Sequence, residues 1–133
     1  MKKTKKMIFL QDCGIFSNQV VVSVGGKKED ALKFVKDKKN FIQKECIEWV
    51  ESLEIWDLLE FNEAVVAYQK GRIFLLLKDK KNDWDYWETL VHELYHIVEH
   101  IAEEKKFQQE QEAKAYLQGY LFQQIRRKIM GII

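Results

Sequence analysis

The chain has 133 residues, of which 47% are hydrophobic and 32% are charged, a composition typical of a folded globular domain rather than a disordered or membrane protein. The formal net charge of +1 argues against dedicated nucleic-acid binding, which usually requires a basic surplus. No apolar run is long enough to span a bilayer, so we expect a cytoplasmic protein. The length predicts a single domain over residues 1–133.

The N-terminal part, up to about residue 80, is predicted to be mixed α/β. A short strand is expected at Met7–Leu10, and a stronger one at Gln19–Val24, where four valines precede a glycine pair. Apolar residues spaced among lysines predict a helix at Glu29–Lys39. A second helix is predicted at Phe41–Phe61, where apolar residues recur at helical spacing.

A hairpin and two long helices are predicted to follow. Ala64–Tyr68 and Arg72–Leu77 flank a turn that contains a glycine, which is typical of a β-hairpin. From about residue 85 to residue 130 the chain is predicted to be helical, with a polar break at Lys105–Lys106 and a second helix over Gln108–Met130. The apolar stripe of the first helix consists of Leu90, Val91, Leu94, Ile97, Val98 and Ile101. The predicted fold class is therefore α+β, a helix-rich domain with a small sheet.

The cysteines and tryptophans are expected to be structural. Cys13 and Cys46 lie far apart in the sequence and form no metal-binding pair, so we expect both to be small buried residues in a reducing compartment. The four tryptophans are expected to pack in the core or between helices rather than to form a binding platform. They are Trp49, Trp56, Trp84 and Trp87.

The segment most informative about function is His92-Glu93-Leu94-Tyr95-His96. Two histidines four residues apart project from one face of a helix, so both imidazoles can reach a single metal ion. They fall roughly 160–200° around the helix from Leu90 and Leu94, which places the core on the opposite side. A glutamate directly after the first histidine can hold and deprotonate a water bound to that ion. The alternative is an ordinary helical segment without metal, because this pattern also arises by chance.

A catalytic zinc site of this kind needs a third protein ligand and an open position for water. His100 continues the four-residue spacing, but a helix rises about 12 Å from His92 to His100, too far for three imidazoles to converge on one ion. We therefore expect His100 to be solvated or to support the site indirectly. Glu112, on the next helix, is the favoured third ligand. It shares a side of that helix with Ala115 and Gly119, whose small size would let the two helices approach closely.

Other ligand sets are also compatible with the sequence. Glu103, which lies on the same helix face as His96, and Glu110 are alternative third ligands, and a site without a third protein ligand is a further alternative. Zinc is the default metal for two histidines and one carboxylate, although the same set also suits non-haem iron.

Two segments together resemble a known group of enzymes. Residues 89–96 (Thr-Leu-Val-His-Glu-Leu-Tyr-His), followed by the Glu-Ala-x-Ala-Tyr-Leu-x-Gly-Tyr of residues 112–120, are similar to the gluzincin branch of zinc metallopeptidases. More narrowly, they resemble small phage and prophage proteins with a predicted metallopeptidase motif. The resemblance covers about residues 85–122 and implies a zincin-like metal helix followed by a ligand-bearing helix. It further implies one zinc ion bound by His92, His96 and Glu112, with Glu93 as general base, and a peptide or protein substrate.

Three further expectations concern catalysis and its alternative. Gluzincins often stabilise the oxyanion with an additional side chain, and the candidates here are Tyr116, Tyr120 and Arg72. An extended substrate commonly adds to a sheet edge beside the metal helix, and Arg72–Leu77 is the candidate strand, although its run of three leucines favours a central strand buried on both faces. The second functional hypothesis is a non-catalytic, metal-stabilised phage or prophage protein that acts by binding a protein partner.

Overall fold

The computed structural model describes residues 6–37, 63–69, 72–78 and 84–131. The helix predicted at Phe41–Phe61 lies outside the described residues, as do Cys46, Trp49 and Trp56. The described elements, in chain order, are β1 (Met7–Cys13), β2 (Phe16–Val24), α1 (Lys28–Asp37), β3 (Ala64–Gln69), β4 (Arg72–Leu77), α2 (Trp84–Lys105) and α3 (Gln111–Ile129). The predicted α+β class is confirmed.

The described strands form one mixed sheet in the order β1-β2-β4-β3. β1 pairs with β2 as an antiparallel hairpin, and β3 pairs with β4 as the predicted second hairpin. The hairpins are joined by parallel pairing of β2 with β4, in register from Gln19 opposite Arg72 to Val24 opposite Leu77. β4 is therefore a central strand. The alternative expectation, that β4 is an edge strand with which an extended substrate could pair, is wrong. Among the described strands, β3 is the edge on this side of the sheet.

Helices cover both faces of the sheet, which explains the continuous apolar runs in its two central strands. Side chains alternate along a strand, so Val20 and Val22 of β2 pack in the core that α2 and α3 share with the sheet. Val21, between them, packs with Phe74 of β4 and Ala31 of α1 on the other face. α2 and α3 therefore lie together on one face of the sheet, and α1 lies on the other.

α2 and α3 form an antiparallel helical hairpin. The apolar stripe predicted for α2 is buried except for Val91, which is 40% exposed. The predicted break is confirmed, because α2 ends at Lys105. Lys106 then adopts a positive φ of 61°, and the N–H of Phe107 donates to the carbonyl of Ala102 at 2.8 Å, an arrangement that commonly closes a helix C-terminus. No described helix is long and apolar enough to cross a bilayer.

Candidate metal centre

α2 presents His92 and His96 side by side on its free face. Both residues are exposed, and their Nε2 atoms lie 3.2 Å apart. On the opposite side of the same helix, Leu90 and Leu94 are fully buried, as their positions around the helix predict. The core therefore anchors α2 and leaves the two imidazoles facing outward.

The spacing of the two Nε2 atoms matches that required of two ligands to one metal ion. With zinc–nitrogen bonds of about 2.0–2.1 Å and tetrahedral angles, two ligand nitrogens lie about 3.3 Å apart. The 3.2 Å separation also suits a hydrogen bond between two neutral imidazoles, one donating and one accepting. The separation alone is therefore compatible both with two ligands to one metal ion and with a hydrogen bond between the rings.

Glu93 lies beside the histidine pair and is half-buried. Burial raises the pKa of its carboxyl group above the ordinary value, while the charges of His92 and His96 act in the opposite direction. The carboxyl group lines a cavity of about 390 Å³ between β3 and α2, which we call the polar cavity. Its other lining residues are Val66, Tyr68, His96, Glu99, His100 and Glu103.

Tyr68 is a residue of the polar cavity that the sequence analysis did not single out. Burial, together with the charge of Glu93, raises the pKa of its phenol to about 12, so the hydroxyl stays protonated and can donate a hydrogen bond at neutral pH. The alternation of side chains along β3 is a signal in the sequence that could have identified Tyr68 as facing inward. Ala64, Val66 and Tyr68 share one face of the strand. All three pack in the core that includes α2.

His100 packs against β3 rather than joining the histidine pair. Its ring stacks on Tyr68 with centroids 4.0 Å apart, and its Nε2 atom lies 3.8 Å from a carboxylate oxygen of Glu104. His100 is thus only partly exposed. Its place in the polar cavity is that of a residue packed beside Glu93 and His96.

The structure does not bring Glu112 to the histidine pair. Glu112 lies in the first turn of α3. Contacts across the hairpin, such as the 3.4 Å hydrogen bond from the side chain of Gln118 to the carbonyl of Val91, set the start of α3 beside the part of α2 that follows His96. Within the described ranges, no group of three histidine, cysteine, aspartate or glutamate side chains could hold a metal ion. The role of Glu112 as third ligand stays a prediction.

The two alternative carboxylate ligands lie in different surroundings, and the small residues of α3 do not contact α2 as expected. Glu103 is exposed and lines the polar cavity with His96, whereas Glu110 is exposed at the N-cap of α3. The close helix approach expected at Ala115 and Gly119 is wrong. Ala115 is exposed, and a Cβ atom added at Gly119 would meet nothing within 4 Å.

The two tyrosines predicted as oxyanion candidates contact the end of β1 and the turn that follows it. The hydroxyl of Tyr120 donates to Oδ1 of Asp12 at 2.6 Å, and the hydroxyl of Tyr116 lies against Gly14, where a Cβ atom would be only 2.6 Å away. Neither residue lines the polar cavity. The third candidate, Arg72, is the first residue of β4.

A second cavity lies beside the other histidine. It has a volume of about 590 Å³ and is lined by Trp84, Trp87, Glu88, Val91, His92 and Phe122; we call it the apolar cavity. Trp84 is 75% exposed, so the expectation that this residue packs in the core is wrong. Trp87 is half-buried and packs against the core, as expected. His92 borders the apolar cavity and His96 borders the polar one, so the histidine pair lies between the two.

Comparison of the chain with protein-family models, with curated proteins and with solved structures finds no match. The geometry of α2 and of the two cavities beside it is therefore the basis for a functional proposal.

Proposed function

We propose that the protein is a zinc-dependent metallopeptidase that binds one zinc ion per chain through His92 and His96. The observation that carries the proposal is the 3.2 Å separation of their Nε2 atoms on the exposed face of a helix that is buried on its other face. Glu112 is the predicted third ligand, and the described residues do not group it with the two histidines. We place the protein in the cytoplasm, where free thiols such as that of Cys13 persist.

The residues around the pair supply the groups that peptide hydrolysis requires. Bound zinc lowers the pKa of a water molecule toward neutrality. In our proposal Glu93 accepts a proton from the attacking water and passes it to the nitrogen of the leaving amine. The phenol of Tyr68, which shares the polar cavity with Glu93, donates a hydrogen bond to the carbonyl oxygen as that oxygen gains negative charge.

The substrate in this proposal is an extended peptide or protein segment. Such segments commonly bind by adding a strand to a sheet edge through main-chain hydrogen bonds. Among the described strands, β3 is the edge strand that contributes side chains to the polar cavity. We therefore assign substrate pairing to β3, in place of the Arg72–Leu77 strand considered from the sequence.

The metal content of the untagged full chain, measured by elemental mass spectrometry, tests the binding step. We expect one zinc per chain in the wild type and its loss in the variants His92→Ala and His96→Ala. His100→Ala is the matched control, because it removes a histidine of the same helix that is outside the pair, and it should retain zinc. A wild-type chain that remains free of metal after zinc is supplied would refute the proposal. Zinc loss in Glu112→Gln would show that α3 brings this carboxylate to the ion.

Peptide hydrolysis by the zinc-loaded chain tests the chemical step. Glu93→Gln should retain zinc and lose at least about 100-fold in rate, since general acid–base catalysis typically contributes that much. Tyr68→Phe should retain zinc and lower kcat more than it raises KM, because the phenol acts in the transition state. A Glu93→Gln protein that cleaves casein peptides at the wild-type rate would exclude this mechanism.

The second candidate function is a non-catalytic metalloprotein that binds a protein partner. The observation that favours it is that neither Tyr116 nor Tyr120, two of the oxyanion candidates predicted from the sequence, lines the polar cavity. This alternative predicts that zinc raises the melting temperature, that no peptide is cleaved, and that Glu93→Gln behaves as the wild type.

A further inference from the structure

The apolar cavity adjoins the histidine pair, and neither the fold nor the proposed chemistry accounts for it. We propose that it is a specificity pocket for a large apolar side chain, above all an aromatic one, carried by the peptide substrate next to the cleaved bond. The inference rests on the proposed peptidase function for the identity of the ligand. The cavity itself is lined by side chains that take no part in the proposed metal binding, apart from His92.

The lining of the cavity fits a bulky apolar group. Its volume of about 590 Å³ is large enough to admit an aromatic side chain. Trp84, Trp87, Val91 and Phe122 supply apolar walls, and three of these four are aromatic. Aromatic rings pack favourably against one another in offset or edge-to-face arrangements. An aromatic substrate side chain would therefore find matching partners on several sides.

The charge at the cavity disfavours an acidic occupant. Glu88 is one of the lining residues and would repel an acidic side chain. The guanidinium of Arg126 lies 5.3 Å from the ring centre of Trp87, a cation–π distance. Arg126 thus helps to hold the indole that forms one wall.

The position of the cavity ties it to the site of bond cleavage. His92 contributes both to the cavity lining and to the histidine pair. Successive residues of an extended peptide advance by only about 3.3 Å. A residue adjacent to a bond held over the pair would thus bring its side chain to the mouth of the cavity.

The exposure of the cavity walls also points to a ligand. Trp84 is 75% exposed and Val91 is 40% exposed, so apolar surface beside the site faces water, and covering it would be favourable. The concave shape suits a single side chain better than a protein partner, because stable protein interfaces bury about 800 Å² on each side.

Peptide binding tests the inference directly. The probes are dye-labelled heptapeptides of glycine and serine with one central residue, either Phe, Ala or Glu, and the readout is fluorescence anisotropy. The protein is the full chain carrying Glu93→Gln, supplied with zinc, so that the probes bind without being cleaved. We expect the Phe peptide to bind at least about tenfold more tightly than the Ala peptide, as burial of a large apolar side chain predicts, and the Glu peptide to bind no better than the Ala peptide.

Two pocket variants and one control locate the binding. Trp84→Ala removes a largely exposed wall, and Val91→Trp fills the cavity, and each should reduce the preference for Phe over Ala to about threefold or less. Ile15→Ala is the matched control, because it removes an apolar side chain that is 80% exposed in the β1–β2 turn, and it should leave the preference unchanged. Equal binding of Phe and Ala peptides, or a preference that survives both pocket variants, would overturn the inference.

The same measurement with His96→Ala separates this inference from the proposed function. A preference for Phe that persists in this variant, and that Trp84→Ala abolishes, supports the pocket even if the wild type binds no zinc. If the wild type binds zinc and cleaves peptides without any preference for Phe over Ala, the proposed function stands and the pocket is refuted.

Discussion

Replacing Gly14 with alanine would test how the β1–β2 turn packs against α3. The side chain of Tyr116 contacts Gly14 in that turn, and the substitution would disturb this contact. Gly14 has a φ of +66°, a left-handed conformation that costs a residue with a side chain about 1–2 kcal/mol. Part of this cost is offset, because alanine lowers the entropy of the unfolded chain by an equivalent of about 0.4–1 kcal/mol. The backbone effect alone is therefore about 1 kcal/mol.

A steric effect adds to this backbone cost. An alanine Cβ atom at residue 14 would lie 2.6 Å from the hydroxyl oxygen of Tyr116, while the next ring atoms, at 3.5 and 3.6 Å, are at ordinary contact distance. Only the hydroxyl group must move. Shifting the ring away from its rotamer costs about 0.5–1.5 kcal/mol, so we expect Gly14→Ala to lower the free energy of unfolding by about 2 kcal/mol.

A double-mutant cycle measured by urea unfolding separates the two effects. On the Tyr116→Phe background the hydroxyl group is absent, so Gly14→Ala should cost only about 1 kcal/mol. Gly131→Ala is the control for the backbone effect, because Gly131 has a φ of +74° and a Cβ atom there would meet nothing within 4 Å. If Gly14→Ala costs the same on both backgrounds, the steric reasoning is wrong. If it costs nothing on either, the left-handed conformation is wrong as well.

Three further outcomes follow from the described structure. Gly119→Ala should raise the free energy of unfolding by about 0.5–1 kcal/mol in urea, because an exposed glycine inside a helix is replaced without a clash. The hydrogen bond from Tyr120 lowers the pKa of Asp12 below its ordinary 3.8, so its contribution to stability is present above that pH and is lost as the pH falls through the lower value. Thermal melts should therefore show a shallower loss of stability below about pH 4 for Tyr120→Phe than for the wild type. Burial raises the pKa of the Cys13 thiol to about 12, so in a Cys46→Ser protein it should resist a disulfide reagent until the chain is unfolded; rapid reaction in the folded state would contradict this burial.

Local periodicity was sufficient to predict much of the fold. Strand β2, the β3–β4 hairpin, the break at Lys105–Lys106 and both C-terminal helices follow from the alternation or helical spacing of apolar residues, and all are present in the structure. The convergence of His92 and His96 is equally local, because residues four apart on one helix are neighbours wherever that helix packs. The sequence by itself therefore determined the α+β class and the histidine pair.

Tertiary packing decided which residues surround that pair. Tyr68 reaches the polar cavity because β3 packs beside α2, and Trp84 borders the apolar cavity because α3 brings Phe122 to the same place. The position of Glu112 relative to the histidine pair depends on how many residues α2 extends past His96 before the chain turns back. Such contacts join residues that are distant in the sequence, and they depend on element length, strand order and packing register. A pattern of neighbouring residues carries no direct signal for these quantities, whereas the helical spacing that pairs the two histidines is set within a single turn of backbone.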